Sequence, residues 1–232
     1  ADVGARAAVR PGRPTARTGL CCTNMDVLAV PGRRFLALGD SYTIGEAVGE
    51  TDRWPAQLAR LLGREGFALA STEIIASTGW TTGELAQGIR LAGPRGPFDL
   101  VSLLIGVNNQ YRGRPIDEYR AELRELLVTA VDLAGGAALR VVMLSIPDWG
   151  VTPFAEGRER AGIARDIDSF NEVNRDEAAR VDARYVDVTQ ASRRAFSEPE
   201  LIAGDGLHPS AAMYARWAEL VLPEAKAAMT TG

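Results

Sequence analysis

Short apolar runs alternate along the chain with segments in which apolar residues recur every three or four positions. The runs predict buried strands at residues 34–39, 69–76, 100–105, 141–146 and 185–188. The periodic segments predict helices at residues 55–64, 116–134 and 163–181, and a last helix that begins after Ser210. Continuous apolar strands that alternate with amphipathic helices are typical of a parallel sheet with helices on both faces.

Residues 1–33 have a different composition, rich in Arg, Gly, Ala, Pro and Thr and without an apolar period. They predict a flexible leader before a single domain at residues 34–232. A basic arm that contacts a partner is the alternative interpretation. The leader lacks the apolar core of a secretory signal, which favours a cytoplasmic location.

Composition and charge exclude several classes of protein. The chain has 26 basic and 30 acidic residues, a net charge of −4, and this balance argues against nucleic-acid binding. No stretch is long and apolar enough to span a membrane. The adjacent Cys21 and Cys22 and a single histidine, His208, exclude a disulfide framework and a multi-histidine metal centre. We therefore expect no metal and no cofactor. The oligomeric state cannot be read from the sequence.

Polar residues follow the predicted strands at the edge where parallel sheets gather functional groups. Ser41 follows the first strand, where it is either a helix cap or a nucleophile. Asp205 precedes His208 by three residues on one loop, either as a simple turn before a helix or as an acid that orients a base. Because His208 is the only histidine, it is the only imidazole base available.

Two further loops contain donors suited to an oxyanion. Gly79 follows the second strand and Asn108 the third, and both residue types also occur in ordinary turns. Together, Gly39-Asp40-Ser41, Gly79, Gly106-Val107-Asn108-Asn109 and Asp205-Gly206-Leu207-His208-Pro209 resemble the four blocks of the SGNH (GDSL-type) hydrolases, in the same order. The resemblance covers roughly residues 34–225. Asn109 departs from it, because an Asp is usual at that position.

The resemblance implies an α/β fold, a flavodoxin-like three-layer α/β/α sandwich with a central parallel sheet of about five strands. It also implies a serine esterase with Ser41 as nucleophile, His208 as base, Asp205 as its orienting acid, and an oxyanion hole formed by Ser41, Gly79 and Asn108. The expected partner is a small-molecule ester with a short-chain acyl or acetyl group. An acyltransferase, a thioesterase, a carbohydrate acetylesterase and a non-catalytic glycan-binding module are the alternatives.

Aromatic residues near the strand ends are candidates for a substrate pocket, although core packing explains them equally well. They are Tyr42, Trp80, Tyr111 and Trp149. The irregular segment at residues 147–157 is long enough to fold over the site, or it is a plain surface loop. The sequence does not select the acyl chain length or the alcohol.

Overall fold

A single all-parallel sheet forms the centre of the computed structural model, which describes residues 32–230. Its strands are β1 (Arg33–Gly39), β2 (Leu69–Ala76), β3 (Leu100–Leu104), β4 (Val141–Leu144) and β5 (Arg184–Val186). Their spatial order is β2-β1-β3-β4-β5. Strands β3 and β4 are buried along their whole length, which explains why they read as continuous apolar runs.

Helices cover this sheet and complete the predicted three-layer α/β/α sandwich. They are α1 (Ser41–Ile44), α2 (Trp54–Arg64), α3 (Thr82–Ala92), α4 (Val107–Tyr111), α5 (Ile116–Leu133), α6 (Arg160–Arg180), α7 (Thr189–Arg193) and α8 (Ala211–Thr230). Helices α2 and α8 pack against each other, and α3, α5 and α6 pack side by side. Short 3-10 turns lie at Glu50–Asp52, Ala138–Arg140, Trp149–Val151, Pro153–Ala155, Arg194–Phe196 and Pro199–Leu201.

The last two strands are shorter than predicted, because side chains replace the ladder at their carboxyl ends. The backbone N–H of Ile146 donates to Asn171 Oδ1 (2.7 Å) after β4 has ended. After β5, the N–H groups of Val188 and Thr189 both donate to Ser145 Oγ, at 2.8 and 3.0 Å. In both strands the apolar run continues past the point where the backbone leaves the sheet, so apolarity alone overestimates the length of the strand.

Helix α3 is missing from the predicted elements although the sequence contains its start signal. Thr81 accepts a hydrogen bond from the Glu84 backbone, and the Glu84 side chain accepts one from the Thr81 backbone. This reciprocal capping box is readable as Thr-x-x-Glu.

The predicted leader lies outside the described residues, apart from Gly32 and from Arg33, which begins β1 one residue before the predicted boundary.

The strand order reverses between the neighbours β1 and β3: the next strand after β1 lies on one side of this pair, and the next strand after β3 lies on the other side. In open parallel sheets, ligands bind beyond the carboxyl ends of the strands at such a switch point. Gly39 ends β1 opposite both Ala76 of β2 and Leu104 of β3. The loops after β1, β2 and β3 therefore begin side by side.

Candidate active site

The nucleophile candidate Ser41 lies where β1 meets α1. Gly39 is required before it, because a Cβ there would come within 2.5 Å of the Leu104 carbonyl oxygen. Asp40 caps the helix, with its Oδ1 accepting from the Tyr42 N–H at 3.0 Å. Ser41 is therefore not the cap but the first helical residue, and its own N–H has no partner inside the helix. Ser41 is 5% exposed and lines a cavity.

Asp40 is a fully buried carboxyl group beside the nucleophile. Its Oδ2 atom has no hydrogen-bond partner among the described residues. Burial raises the pKa of Asp40 to about 7, and the hydrogen bonds from the Tyr42 and Asp40 backbone only partly oppose this effect. Asp40 is thus buried next to Ser41 with one of its two oxygen atoms unsatisfied.

His208 and Asp205 form a short, directed pair on the loop before α8. Asp205 Oδ2 lies 2.6 Å from His208 Nδ1, and Asp205 Oδ1 accepts from the backbone N–H groups of Leu207 and His208, both at 3.0 Å. Partial burial acts to raise the pKa of Asp205, but these hydrogen bonds outweigh it and hold the pKa below its usual value. An ionised Asp205 only accepts, so Nδ1 carries the proton and Nε2 is the basic nitrogen.

The loop after β2 holds Gly79 in a tight turn. The Trp80 N–H donates to the Ser77 carbonyl (3.3 Å), and Gly79 has a φ of +82°, as a left-handed turn position requires. Two side chains from the region of α4 fasten this turn. Asn108 Nδ2 donates to the Trp80 carbonyl at 2.9 Å, and Arg112 Nη2 donates to the Gly79 carbonyl at 2.6 Å.

Asn109, the residue that departs from the expected pattern, is buried and points away from the cavity. Its Oδ1 accepts from the Thr82 N–H (3.1 Å), and its Nδ2 donates to Thr82 Oγ1 (2.7 Å). The Thr82 hydroxyl in turn donates to the Glu122 carboxylate. An Asp is usual at position 109 in the pattern described above. Here the carboxylate is that of Glu122 on α5, and the Thr82 hydroxyl lies between it and Asn109.

A cavity of about 170 Å³ joins these loops. Its lining includes most of the predicted site residues, namely Ser41, Tyr42, Gly79, Asn108, Tyr111, Trp149 and His208. Asp205 lies behind His208. Trp80 is not part of the lining: its ring covers Gly88 of α3 so closely that a Cβ there would be 2.3 Å from it.

Phe154 and Leu207 also line the cavity, and sequence reasoning did not single them out. Phe154 belongs to the irregular segment 147–157, which does reach the site. Its ring lies 5.9 Å from Trp149 and 6.1 Å from Tyr111, and those two rings lie 5.4 Å apart. Trp149 Nε1 donates to Gln110 Oε1 at 2.9 Å. One wall of the cavity is therefore aromatic.

Among residues 32–230, no group of three or more His, Cys, Asp and Glu side chains is arranged to hold a metal ion. Within the same residues, no helix has the length and apolar character needed to cross a membrane.

Residues 37–216 match the model of the GDSL-like Lipase/Acylhydrolase family. Among solved structures, TesA is similar with a TM-score of 0.65 and 22% identity, over 84% of this chain and 99% of TesA. Axe2, an acetylxylan esterase from Geobacillus stearothermophilus, has a TM-score of 0.62 and 22% identity, over 84% and 95% of the two chains. A member of the lipolytic protein G-D-S-L family from Veillonella parvula has a TM-score of 0.63 and 16% identity, over 83% and 97%. At these identities the likeness shows the fold. A comparison with curated protein sequences gave no match.

Proposed function

The chain belongs to the GDSL-like lipase/acylhydrolase family and is an ester hydrolase, and from this premise we propose that it cleaves short-chain carboxylic esters through an acyl-enzyme on Ser41. The observation that carries the proposal is the directed Asp205–His208 pair beside a cavity that Ser41, Gly79 and Asn108 also line. A nucleophile, an oriented base and oxyanion donors are the three groups that acyl transfer needs.

In the proposed mechanism, His208 acts as the general base. Asp205 keeps the proton on Nδ1, so Nε2 takes the proton from the Ser41 hydroxyl as its oxygen attacks the ester carbonyl. The same nitrogen then protonates the departing alcohol. Water attacks the acyl-enzyme in the second half of the reaction, and Ser41 is regenerated.

The oxyanion is stabilised by groups that are already in position. The N–H groups of Ser41 and Gly79 and the second N–H of the Asn108 carboxamide are the proposed donors. Asn108 uses one N–H for the Trp80 carbonyl, which fixes the plane of the amide and leaves the other N–H free. Donors held in this way cost no reorganisation when charge develops on the oxygen.

The size of the cavity supports a short acyl group. Its volume of about 170 Å³ is below the ~300–1,000 Å³ of pockets that hold drug-sized ligands. The aromatic wall suits an apolar or ring-shaped part of the substrate. Acetyl to butyryl esters are therefore the proposed substrates.

The test is hydrolysis of p-nitrophenyl esters from acetate to laurate by the wild type and by Ser41→Ala. We expect turnover that is highest for the short esters and that falls by about 10⁴-fold or more in Ser41→Ala. Covalent labelling by a fluorophosphonate, read by intact mass, should add one adduct to the wild type and none to Ser41→Ala. Residual activity above a hundredth of wild type in a folded Ser41→Ala protein contradicts the assignment of the nucleophile.

A second assay separates hydrolysis from the related reactions. Acetyl and butyryl thioesters are compared with the matching oxygen esters, and products are analysed with and without an added alcohol acceptor. We expect oxygen esters to be preferred and the free acid to be the main product. An acceptor ester as the main product at low acceptor concentration would identify a transferase.

A further inference from the structure

Arg158 lies at the edge of the aromatic wall and contacts all three of its rings. Its guanidinium carbon is 5.4 Å from the ring centroids of Tyr111 and Trp149 and 5.1 Å from that of Phe154. These rings line the same cavity as Ser41 and His208. A guanidinium stacks on aromatic faces through its own face, so its N–H groups are left at the edge.

The N–H donors of Arg158 are largely unused. Nη2 makes one long hydrogen bond, 3.4 Å, to the Tyr111 hydroxyl. A guanidinium has five N–H donors, and no carboxylate of the described residues forms an ion pair with this one. Glu159, the next residue in the chain, pairs instead with Arg165.

Several of the other charged groups around the cavity have partners of their own. Arg112 pairs with Glu84 and binds the Gly79 carbonyl, Glu46 accepts from the Thr78 hydroxyl, and Asp205 pairs with His208. A negatively charged ligand that approaches the aromatic wall therefore meets Arg158 without having to displace a carboxylate.

The segment that contains Arg158 is fixed relative to the base. The Phe154 N–H donates to the Gly206 carbonyl (3.0 Å), within the loop that holds Asp205 and His208, and the Arg158 N–H donates to the Ala155 carbonyl (3.1 Å). A backbone path of a few residues thus links the guanidinium to the catalytic loop. A substrate bound to Arg158 has a defined position relative to His208.

We infer that Arg158 binds an anionic group, a carboxylate or a phosphate, on the ester that this site hydrolyses. The inference rests on the proposed function and sharpens it: the preferred substrates are short esters that carry a negative charge beyond the scissile bond. A carboxylate matches the free guanidinium edge in two parallel hydrogen bonds, which a neutral amide or hydroxyl does not.

Matched pairs of charged and neutral esters test this inference. For charge on the alcohol side, 4-acetoxybenzoate is compared with 4-acetoxybenzamide, and 4-acetoxyphenyl phosphate is included. For charge on the acyl side, monomethyl glutarate is compared with its monoamide. We expect kcat/KM to favour the charged member by about tenfold in one of the two arms, the scale of a charge-assisted hydrogen bond at an exposed arginine.

The preference should depend on Arg158 alone. Arg158→Gln should bring the charged-to-neutral ratio to about one, and Arg158→Lys should keep part of it, because a point charge remains without the planar fork. Arg175→Gln is the matched control, since Arg175 lies over Tyr185 at 5.2 Å and that ring, unlike the three rings beside Arg158, does not line the cavity. It should leave the ratio unchanged. Roughly 0.5 M salt should weaken the wild-type preference, because salt screens exposed charges.

Two results overturn the inference while the esterase proposal stands. One is a wild type that hydrolyses p-nitrophenyl acetate but shows no charge preference in either arm. The other is an equal loss for charged and neutral esters in Arg158→Gln, which would mean that the arginine only covers the rings. If p-nitrophenyl acetate is not hydrolysed at all, the esterase proposal fails. Binding of 4-acetamidobenzoate and 4-acetamidobenzamide, followed by tryptophan fluorescence, then decides whether the arginine recognises an anion.

Discussion

The two walls of the cavity are built by different kinds of contact. The polar wall, which we define as Ser41, Gly79, Asn108 and His208, belongs to loops fixed by directed hydrogen bonds of 2.6–3.0 Å. The aromatic wall, defined as Tyr111, Trp149 and Phe154, is held mainly by ring contacts with centroids 5.4–6.1 Å apart. Tyr111 and Phe154 are 45% and 41% exposed, whereas Ser41 is 5% exposed.

This difference separates two tasks. A directed hydrogen bond fixes both position and orientation, which a reacting group needs, because misplacement by about 1 Å costs about a hundredfold in rate. Ring contacts supply apolar area and are satisfied over a range of centroid distances of about 4.5–7 Å, so they fix a side chain less tightly. We therefore expect changes in the polar wall to lower kcat and changes in the aromatic wall to alter KM and substrate preference.

The largest effect should come from Asp205→Asn. The amide can still accept from the Leu207 and His208 N–H groups through Oδ1, so the turn is kept. Its Nδ2, however, donates to His208 Nδ1, which moves the ring proton to Nε2 and removes the base. We expect kcat to fall by about 10³–10⁴-fold, with little change in KM, in steady-state assays on p-nitrophenyl acetate.

A matched control is Asp187→Asn, because Asp187 Oδ1 likewise accepts from the backbone N–H two residues later, that of Thr189 at 2.8 Å, and Asp187 lies outside the cavity. Its activity should remain near wild type. A fall of less than tenfold in Asp205→Asn would mean that the acid does not set the tautomer of His208. Activity would then not depend on the directed hydrogen bond between these two residues.

The next effect should come from Asn108→Ala. Removal of an oxyanion donor lowers kcat by about 10²–10³-fold and leaves substrate binding almost unchanged. The same substitution also removes the hydrogen bond to the Trp80 carbonyl. Arg112→Ala serves as the comparison, because it loosens the same turn through the Gly79 carbonyl without removing a proposed donor. If both variants lose the same activity, Asn108 acts only by holding the turn.

Asp40 lies next to Ser41 but outside the polar wall, and its Oδ2 atom is buried without a hydrogen-bond partner among residues 32–230. The pKa of Asp40 is about 7 in the folded protein, because of burial, and 3.8 is its ordinary value. Between these values the unfolded chain releases a proton that the folded protein keeps, so ionisation favours unfolding. The wild type should therefore lose stability relative to Asp40→Asn as the pH rises from 3.8 to about 7.

Urea unfolding of both proteins across this pH range measures the effect. The difference in unfolding free energy should be small at the acidic end, grow through the range and level off above it. The asparagine keeps the cap to the Tyr42 N–H, so a constant difference at every pH would reflect the cap alone and contradict a buried, unpaired charge.

A smaller effect tests the role of Asn109. In Asn109→Asp the Thr82 hydroxyl faces two carboxylates and can donate to only one of them. We expect a loss of about 1–3 kcal/mol in unfolding free energy for a buried acceptor left without its donor. Glu122→Gln in the same chain should restore much of that loss. A double-mutant cycle by urea unfolding measures the coupling, and additive effects would show that Glu122 does not replace the missing carboxylate.

The polar wall could be predicted from the sequence because its residues are constrained in type. The proposed base is an imidazole, and His208 is the only histidine in the chain. Its partner Asp205 is three residues away, within reach of a single turn. The alternation of strands and helices predicted the order of the loops. The strand ends could be located because each apolar run is followed by polar residues where the backbone leaves the sheet.

The aromatic wall could not be predicted to the same extent. Trp80 and Trp149 both follow strand ends, yet one packs on Gly88 of α3 and the other lines the cavity. Phe154 and Arg158 lie in an irregular segment whose path depends on the hydrogen bond from Phe154 to Gly206, 52 positions later in the chain. Burial of apolar surface is non-directional, so sequence spacing does not say which ring faces the substrate.

The smallest effect, and the one that addresses the aromatic wall directly, should come from Phe154→Ala. A half-exposed phenylalanine contributes about 1 kcal/mol of apolar contact to a bound ester, so KM for p-nitrophenyl butyrate should rise about fivefold. The effect on kcat should be slight, because the backbone bond to Gly206 is retained. Phe196→Ala is the control, since Phe196 is 70% exposed and does not line the cavity. A large fall in kcat without a change in KM would place Phe154 among the groups that position the base, and the two walls could no longer be assigned separate tasks.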